Sequence, residues 1–327
     1  MLSLKNQIFN INSTKEFNEI SIEIFNYQYT NNIVYREFCT HLRINSSKVK
    51  AINQVPFLPI EFFKHYNIKT NAFKEQEVFL SSGTTGQNQS KHFIKDISIY
   101  KRSYTKAFHQ FYGNIEDYCV LAFLPSYLER KGSSLIYMID DLIKKSNHSE
   151  SGFFLQNESE MIDLLQKMIK NDQKTILFGV SFALLDLAEK YKIDLGGIII
   201  METGGMKGRR KELTRTELHN IYKKSFNVSE IHSEYGMTEL LSQAYSKGNG
   251  IFKTPNWMKI LIRDVNDPFQ LIEHEKTGGI NIIDLANIDS CSFIASQDLG
   301  KKINDTEFEV LGRFDNSDLR GCNLLIN

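Results

Sequence analysis

The chain has 327 residues, enough for one large or two medium domains with a sizeable core. Hydrophobic residues make up 41% and charged residues 24%, the balance of an ordinary globular protein. Lys+Arg and Asp+Glu both total 39, which argues against the clustered cations of a broad nucleic-acid surface.

In chain order, apolar positions at helical spacing from Glu16 to about Leu42 predict two helices. Pro56 and Pro59 then interrupt the pattern. Glu77–Leu80 reads as a strand that runs directly into a Ser/Gly/Thr loop, with a helix expected over Ser98–Tyr112. A compact apolar strand follows at Tyr118–Leu124, stopped by Pro125, and then helices over Ser134–Lys145 and Ser159–Lys170. Next comes strand Thr175–Phe178, helix Phe182–Tyr191, strand Gly197–Met201, helix Arg209–Lys224 and strand Ser229–Ser233. Such alternation predicts βαβ units and a mainly parallel sheet. After Tyr245 the texture changes to short strands with turns, such as Trp257–Ile262 and Gly279–Ile283. The expected division is an N-terminal helical segment over 1–76, an α/β nucleotide-binding body over 77–245, and a small β-rich subdomain with the C-terminal tail over 246–327.

The N-terminus, MLSLKNQIFNINSTKEF, lacks the apolar stretch and basic n-region of a signal peptide. No window approaches the ~20 apolar residues of a membrane span. We therefore expect a cytoplasmic protein with no membrane span and no nucleic-acid partner. Four cysteines, Cys39, Cys119, Cys291 and Cys322, form no CxxC pair and have no zinc-finger spacing. The first three lie in apolar or mixed stretches and read as ordinary buried thiols.

The most informative segment runs Ser81-Ser82-Gly83-Thr84-Thr85-Gly86, with Lys91 shortly after. Small residues let backbone N–H groups crowd round an anion, glycines allow positive-φ turns, and hydroxyls and a lysine add donors. It does not match GxxxxGK[ST], so it is not the P-loop of nucleotide hydrolases. A ligand-free Ser/Thr/Gly turn is the bland alternative. A second segment, His232-Ser233-Glu234-Tyr235-Gly236-Met237-Thr238-Glu239, follows a short β run. It sets an aromatic face, a hydroxyl and a carboxylate on one turn, groups able to stack a base, bond a phosphate and ligate Mg²⁺. A capped helix start would explain Thr238 and Glu239 equally well. His92, beside Lys91, reads as a surface residue, and Glu202-Thr203 with the Lys207–Lys211 run as solvated helix-start features.

Taken together, SSGTTG…K and YGMTE, about 150 residues apart, resemble the signature motifs of the adenylate-forming superfamily. That superfamily includes acyl-CoA synthetases, adenylation domains and firefly-type luciferases. Further matches keep the family's order. Gly204-Gly205-Met206 resembles its adenine-side Gly-Gly turn, and Gly278-Gly279 the glycine turn before a late strand. Gln297-Asp298-Leu299-Gly300 is similar to its ribose-binding Thr-Gly-Asp-Leu-Gly, with Gln297 in place of the usual glycine. Gly312-Arg313-Phe314-Asp315 with Arg320-Gly321 is similar to its Gly-Arg-x-Asp hinge. In most members a mobile C-terminal domain carrying a catalytic lysine follows that hinge, whereas here the chain ends six residues after Gly321. The branch that matches is the acyl-protein synthetase (LuxE-like) one, in which a cysteine near the C-terminus accepts the acyl group; Cys322 stands at that position.

The resemblance implies an α/β fold of the large N-terminal domain type, with parallel sheets and a small β-rich subdomain, lacking the mobile lysine domain. It implies ATP and Mg²⁺ as cofactors and a carboxylic acid, a fatty acid foremost, as substrate. Ser81, Ser82, Gly83, Thr84, Thr85, Gly86 and Lys91 would hold the β/γ-phosphates, Thr238 the α-phosphate and Glu239 the metal. Gly204, Gly205, Tyr235 and Gly236 would flank adenine, and Asp298, helped by Arg313, would take the ribose. His232 could assist near the acyl carbonyl, although a lone His beside a strand end is more often structural. The acceptor stays open: Cys322 itself, an acyl-accepting reductase, a carrier protein or coenzyme A. A nucleotide-binding module without catalysis is the alternative of a different class.

Overall fold

The computed structural model describes residues 2–81, 89–124, 132–155, 157–204, 213–273 and 275–314. These residues cluster into two compact units. One comprises residues 63–67 and 72–255, the other residues 1–62, 68–71 and those from Asn256 onward.

The first of these units is built on strands in the hydrogen-bonded order Gly152–Phe154, Cys119–Phe123, Thr175–Val180, Ile198–Thr203, His232–Tyr235, Ala244–Ser246 and Ile251–Lys253. The first five run parallel and the last two are antiparallel additions. Every residue of Cys119–Phe123 and Thr175–Val180 is buried. Both faces of a parallel sheet are covered by its crossover helices, so its central strands become continuous apolar runs. The helices are Ile97–Tyr112, Ser134–Ser146, Glu158–Lys170, Ser181–Lys190 and Arg215–Phe226. Asp96, Ser133 and Thr214 cap three of them by accepting from backbone N–H groups.

Several boundaries differ from the sequence reading. The helix expected from Arg209 begins at Arg215, because Thr214 forms a reciprocal capping box with Glu217 that fixes the start there. The strand expected to end at Met201 continues to Thr203, so Glu202 and Thr203 are buried strand residues at 5% and 2% exposure rather than solvated helix-start ones. A strand not anticipated, Lys91–Ile94, pairs antiparallel with Glu77–Leu80. The element after the Ser/Gly/Thr loop is thus a strand, with the helix only beyond it.

The other unit carries an antiparallel sheet in the order Leu271–Ile272, Met258–Arg263, Thr277–Asp284, Phe293–Lys302 and Glu307–Arg313. Leu58–Pro59 lies parallel to Phe293–Lys302. The expected N-terminal helices form as Thr14–Asn31 and Ile33–His41 and belong to this unit. Buried Gln28 ties the first to the late chain, its amide donating to the carbonyls of Asn287 and Ile288 and its oxygen accepting from the Ser292 N–H. Tyr35 stacks on Phe293 at 6.2 Å.

Candidate active site

The loop that opens after Leu80 is closed at its base by side chains as well as backbone. Ser81 N–H donates to the Ser90 carbonyl (3.1 Å), Ser90 N–H donates back to Ser81 Oγ (2.9 Å), and the Gln89 amide donates to the Ser81 carbonyl (2.8 Å). Alternation along Lys91–Ile94 leaves Lys91 exposed and turns the next side chain inward. His92 is therefore buried, 1% exposed, and not on the surface as its neighbour suggested. Its ring meets Phe63 edge-on at 5.7 Å, and its Nδ1 lies 2.9 Å from the Thr238 carbonyl. A carbonyl only accepts, so Nδ1 carries the proton. Burial pulls this imidazole down to about 4, against the pull of the Thr238 carbonyl, so it is neutral at pH 7.

That contact ties strand Lys91–Ile94 to the turn of the second motif. Thr238 and Glu239 occupy the turn after strand His232–Tyr235, where the chain reverses to pair with Ala244–Ser246. Glu239 is 5% exposed and Tyr235 8%, Tyr235 lying 6.0 Å from the Phe252 ring. Gly236 is exposed, and a Cβ there would lie 2.5 Å from Glu234 Oε1. Glu234 accepts from Thr203 Oγ1, and burial pushes its carboxyl up to about 7. His232, at the head of the strand, is hydrogen-bonded to Tyr112 (3.1 Å). Burial, then the Lys247 ammonium, lowers it to about 4. Gly204 closes the adjacent strand with φ +70° and is exposed.

A buried network behind these strand ends was invisible in the sequence. Glu202 accepts from Ser181 Oγ (2.8 Å), His219 Nε2 (2.9 Å) and Ser233 Oγ (3.3 Å). Ser181 Oγ also lies 2.9 Å from the Gly204 carbonyl. Burial opposes ionisation of Glu202, but His219 and the nearby Arg215 guanidinium outweigh it and hold the carboxyl below its usual range. The available signal was an acid placed at the end of an apolar strand.

In the other unit, Asp298 is buried at 7% exposure and faces Arg313 across the strand pair, Arg313 Nε to Asp298 Oδ1 being 3.3 Å. Gln297, the departure from the motif, donates to Glu61 at 2.9 Å while its carbonyl accepts from Phe314 N–H. Gly278 and Gly279 lie inside strand Thr277–Asp284 rather than in a turn before it. Buried Arg263 explains both: a Cβ on Gly278 would strike its carbonyl, and one on Gly279 its guanidinium. That guanidinium donates to the carbonyls of Ile280 and Ser296 and to Asn281 Oδ1.

Ser82, Gly83, Thr84, Thr85, Gly86, Gly205 and Cys322 lie outside the described residues, as do Lys207 and Arg209. Cys39, Cys119 and Cys291 are buried free thiols; burial pushes Cys39 up to about 12 and Cys119 to about 11, and raises Cys291 as well. Among the described residues no group of three or more His, Cys, Asp and Glu could hold a metal. Glu239, buried beside Thr238, brings a carboxylate of the kind that binds Mg²⁺ together with substrate phosphates. No helix among the described residues is long and apolar enough to cross a membrane.

The family described as acyl-protein synthetase, LuxE, matches residues 9–327. The chain belongs to the LuxE acyl-protein synthetase family. Among curated proteins none matches it. Among solved structures, ATP-bound MatB from Rhodopseudomonas palustris superposes with a TM-score of 0.52 at 14% identity, over 72% of this chain and 47% of that one. A 2-hydroxyisobutyryl-CoA ligase in complex with 2-HIB-AMP and CoA, in an open conformation, gives 0.63 at 13% identity, over 94% of this chain and 72% of that one. The same ligase in its postadenylation state with R3-HIB-AMP gives 0.64 at 12% identity, over 93% and 69%. At such identities these likenesses establish the fold alone. The LuxE-family chain spans about half the length of the MatB structures it matches.

Proposed function

We propose that this chain uses ATP to activate a carboxylic acid as its acyl-adenylate and then passes the acyl group to a thiol. The observation that carries this reading is the His92–Thr238 hydrogen bond, which fastens the base of the Ser/Gly/Thr loop to the Thr238-Glu239 turn. Strand Lys91–Ile94, which follows the Ser/Gly/Thr segment, is thereby held against the turn that carries Thr238 and Glu239.

In the first half-reaction a carboxylate oxygen attacks the α-phosphorus and pyrophosphate leaves. Two anions must approach, so the site's task is positioning and charge stabilisation. The Ser81–Gly86 loop and the exposed Lys91 would bind the β/γ-phosphates. Thr238, its carbonyl anchored by His92, would present its hydroxyl to the α-phosphate. Glu239 would hold Mg²⁺, which supplies neutralisation of phosphate charge. Gly204, Gly205 and Tyr235 would flank adenine, and Asp298 with Arg313 would take the ribose hydroxyls. His232 Nδ1 is engaged with Tyr112, so Nε2 of its neutral imidazole is the atom that would serve the acyl carbonyl.

In the second half-reaction a thiolate attacks the acyl carbonyl, AMP leaves, and the thiol proton goes to solvent. The reading favours Cys322 as that thiol, with Arg320 stabilising the thiolate. A CoA ligase among the structural neighbours supports coenzyme A as the second reading. The Cys322→Ser variant separates them. Acid-dependent ATP–pyrophosphate exchange should persist, while the hydroxylamine-labile acyl-protein seen in wild type should vanish. An adduct on Cys39, Cys119 or Cys291 would remove Cys322 from the role, and transfer only to added coenzyme A would move the assignment to the external thiol.

A further inference from the structure

The pairing of strands Thr175–Val180 and Ile198–Thr203 stops at Val180 opposite Thr203. One step further, Ser181 would face Gly204, but Ser181 opens helix Ser181–Lys190 and its backbone leaves the sheet. Gly204 leaves as well, with φ +70°. A side chain takes over where the ladder ends. Ser181 Oγ lies 2.9 Å from the Gly204 carbonyl, the first carbonyl beyond the strand. A hydroxyl thus replaces the missing ladder bond at the point where the chain departs for Gly205.

That hydroxyl is itself aimed from behind. Its oxygen is 2.8 Å from Glu202 Oε1. Glu202 Oε2 accepts from His219 Nε2 at 2.9 Å and from Ser233 Oγ, its partner across the strand pair, at 3.3 Å. The Tyr222 phenol donates to the Ser181 carbonyl at 2.6 Å. His219 and Tyr222 share one face of helix Arg215–Phe226. The strand before the Gly204 turn and the helix after it therefore close on the same pair, Ser181 and Glu202. Both are buried, at 2% and 5% exposure, and a buried polar network with its bonds made rigidifies what it touches.

Resting on the placement of adenine beside Gly204 and Gly205 in the adenylation reading, we propose that Ser181 is a positioning residue for the nucleotide. Its hydroxyl, aimed by Glu202, holds the Gly204 carbonyl and so fixes where the base-side turn begins. Neither side chain needs to touch the ligand. Proton counting makes the coupling specific. Ser181 has one hydroxyl proton, whereas ionised Glu202 and the Gly204 carbonyl both only accept, so the proton serves one of them at a time. An amide at position 202 would donate to Ser181 Oγ and commit the hydroxyl proton to Gly204. Its oxygen would still accept from His219.

The test uses the full chain, with calorimetric binding of ATP and AMP and ATP–pyrophosphate exchange on a straight-chain fatty acid. Ser181→Ala should weaken ATP and AMP by about three- to tenfold, the worth of one hydrogen bond. In exchange, the KM for ATP should rise by the same factor while kcat and the KM for pyrophosphate hold. Ser181→Thr, which keeps the hydroxyl, should recover the affinity. Glu202→Gln should bind ATP at least as tightly as wild type, and its sign decides the matter even where Ser181→Ala fails to fold. Unchanged nucleotide affinity in Ser181→Ala, a loss in Glu202→Gln, or a common rise in every KM would overturn the proposal. A wild type that binds neither ATP nor AMP would instead overturn the ATP site of the adenylation reading, and this proposal with it.

Discussion

His92 shows how a residue's role can hide behind its neighbour. Lys91 drew it to the surface in the sequence, but in a strand consecutive side chains point to opposite faces, and the inward position fell to the imidazole. Its Nδ1–H then became a link from the loop hairpin to the Thr238 turn. His92→Leu removes that donor and should cost about 1–3 kcal/mol, with a larger loss in exchange rate because the turn is freed. Asn carries a donor at a reach similar to Nδ1, so His92→Asn should recover most of both. Urea denaturation and exchange assays on the pair decide it; a Leu variant as stable and active as wild type would reduce the contact to packing.

At the scale of elements, the five helices and four of the five parallel strands of the α/β unit were legible because local periodicity and apolar runs encode them, whereas the short strands Gly152–Phe154, Ala244–Ser246 and Ile251–Lys253 were not. Glu77–Leu80 and the helix from Ser134 fall where the pattern put them. The hairpin partner Lys91–Ile94 was not legible, since KHFI is too short and mixed to announce a strand without its neighbour. Gly278 and Gly279 were noticed, but their reason lies across the sheet. Arg263 pairs with Gly279 and fills the space that two side chains would have taken. Alanine at either position should therefore destabilise, by about 1–3 kcal/mol as overpacking usually does. Gly278→Ala should be the worse, because it meets a backbone carbonyl fixed in a strand pair, whereas Gly279→Ala meets the end of a long side chain. Thermal unfolding of the two variants gives the order, and the reverse order would mean that the guanidinium's three hydrogen bonds hold it more firmly than the strand holds its backbone.

Over the whole molecule, what the sequence conceals is pairing at long range. The N-terminal helices share a unit with the late strands through buried bonds such as Asn32 Nδ2 to the Ser290 carbonyl (2.9 Å), and no local pattern foretells a contact across 258 positions. Charge follows the same logic, for zero net charge says nothing about which groups are buried. His92 and His232 are both lowered to about 4, and Glu234 is raised to about 7, each chiefly by burial. Between about pH 6.5 and 4 the unfolded chain binds protons on those histidines that the folded chain does not, so stability falls as pH falls through that window. His92, fully buried, would account for roughly 3 kcal/mol of that fall at most. Glu234 acts in the opposite sense. Its contribution is whole below about pH 4.5, where both states hold the proton, and is lost as pH rises towards and through about 7. His92→Asn should accordingly flatten the acid limb of the stability profile, and Glu234→Gln the limb between about pH 4.5 and 7, in chemical denaturation run at several pH values. The two groups have different partners, so the double variant should show both changes summed. A wild-type acid limb that persists unchanged in His92→Asn would place the proton uptake elsewhere and remove the neutral imidazole from the account of the Thr238 turn.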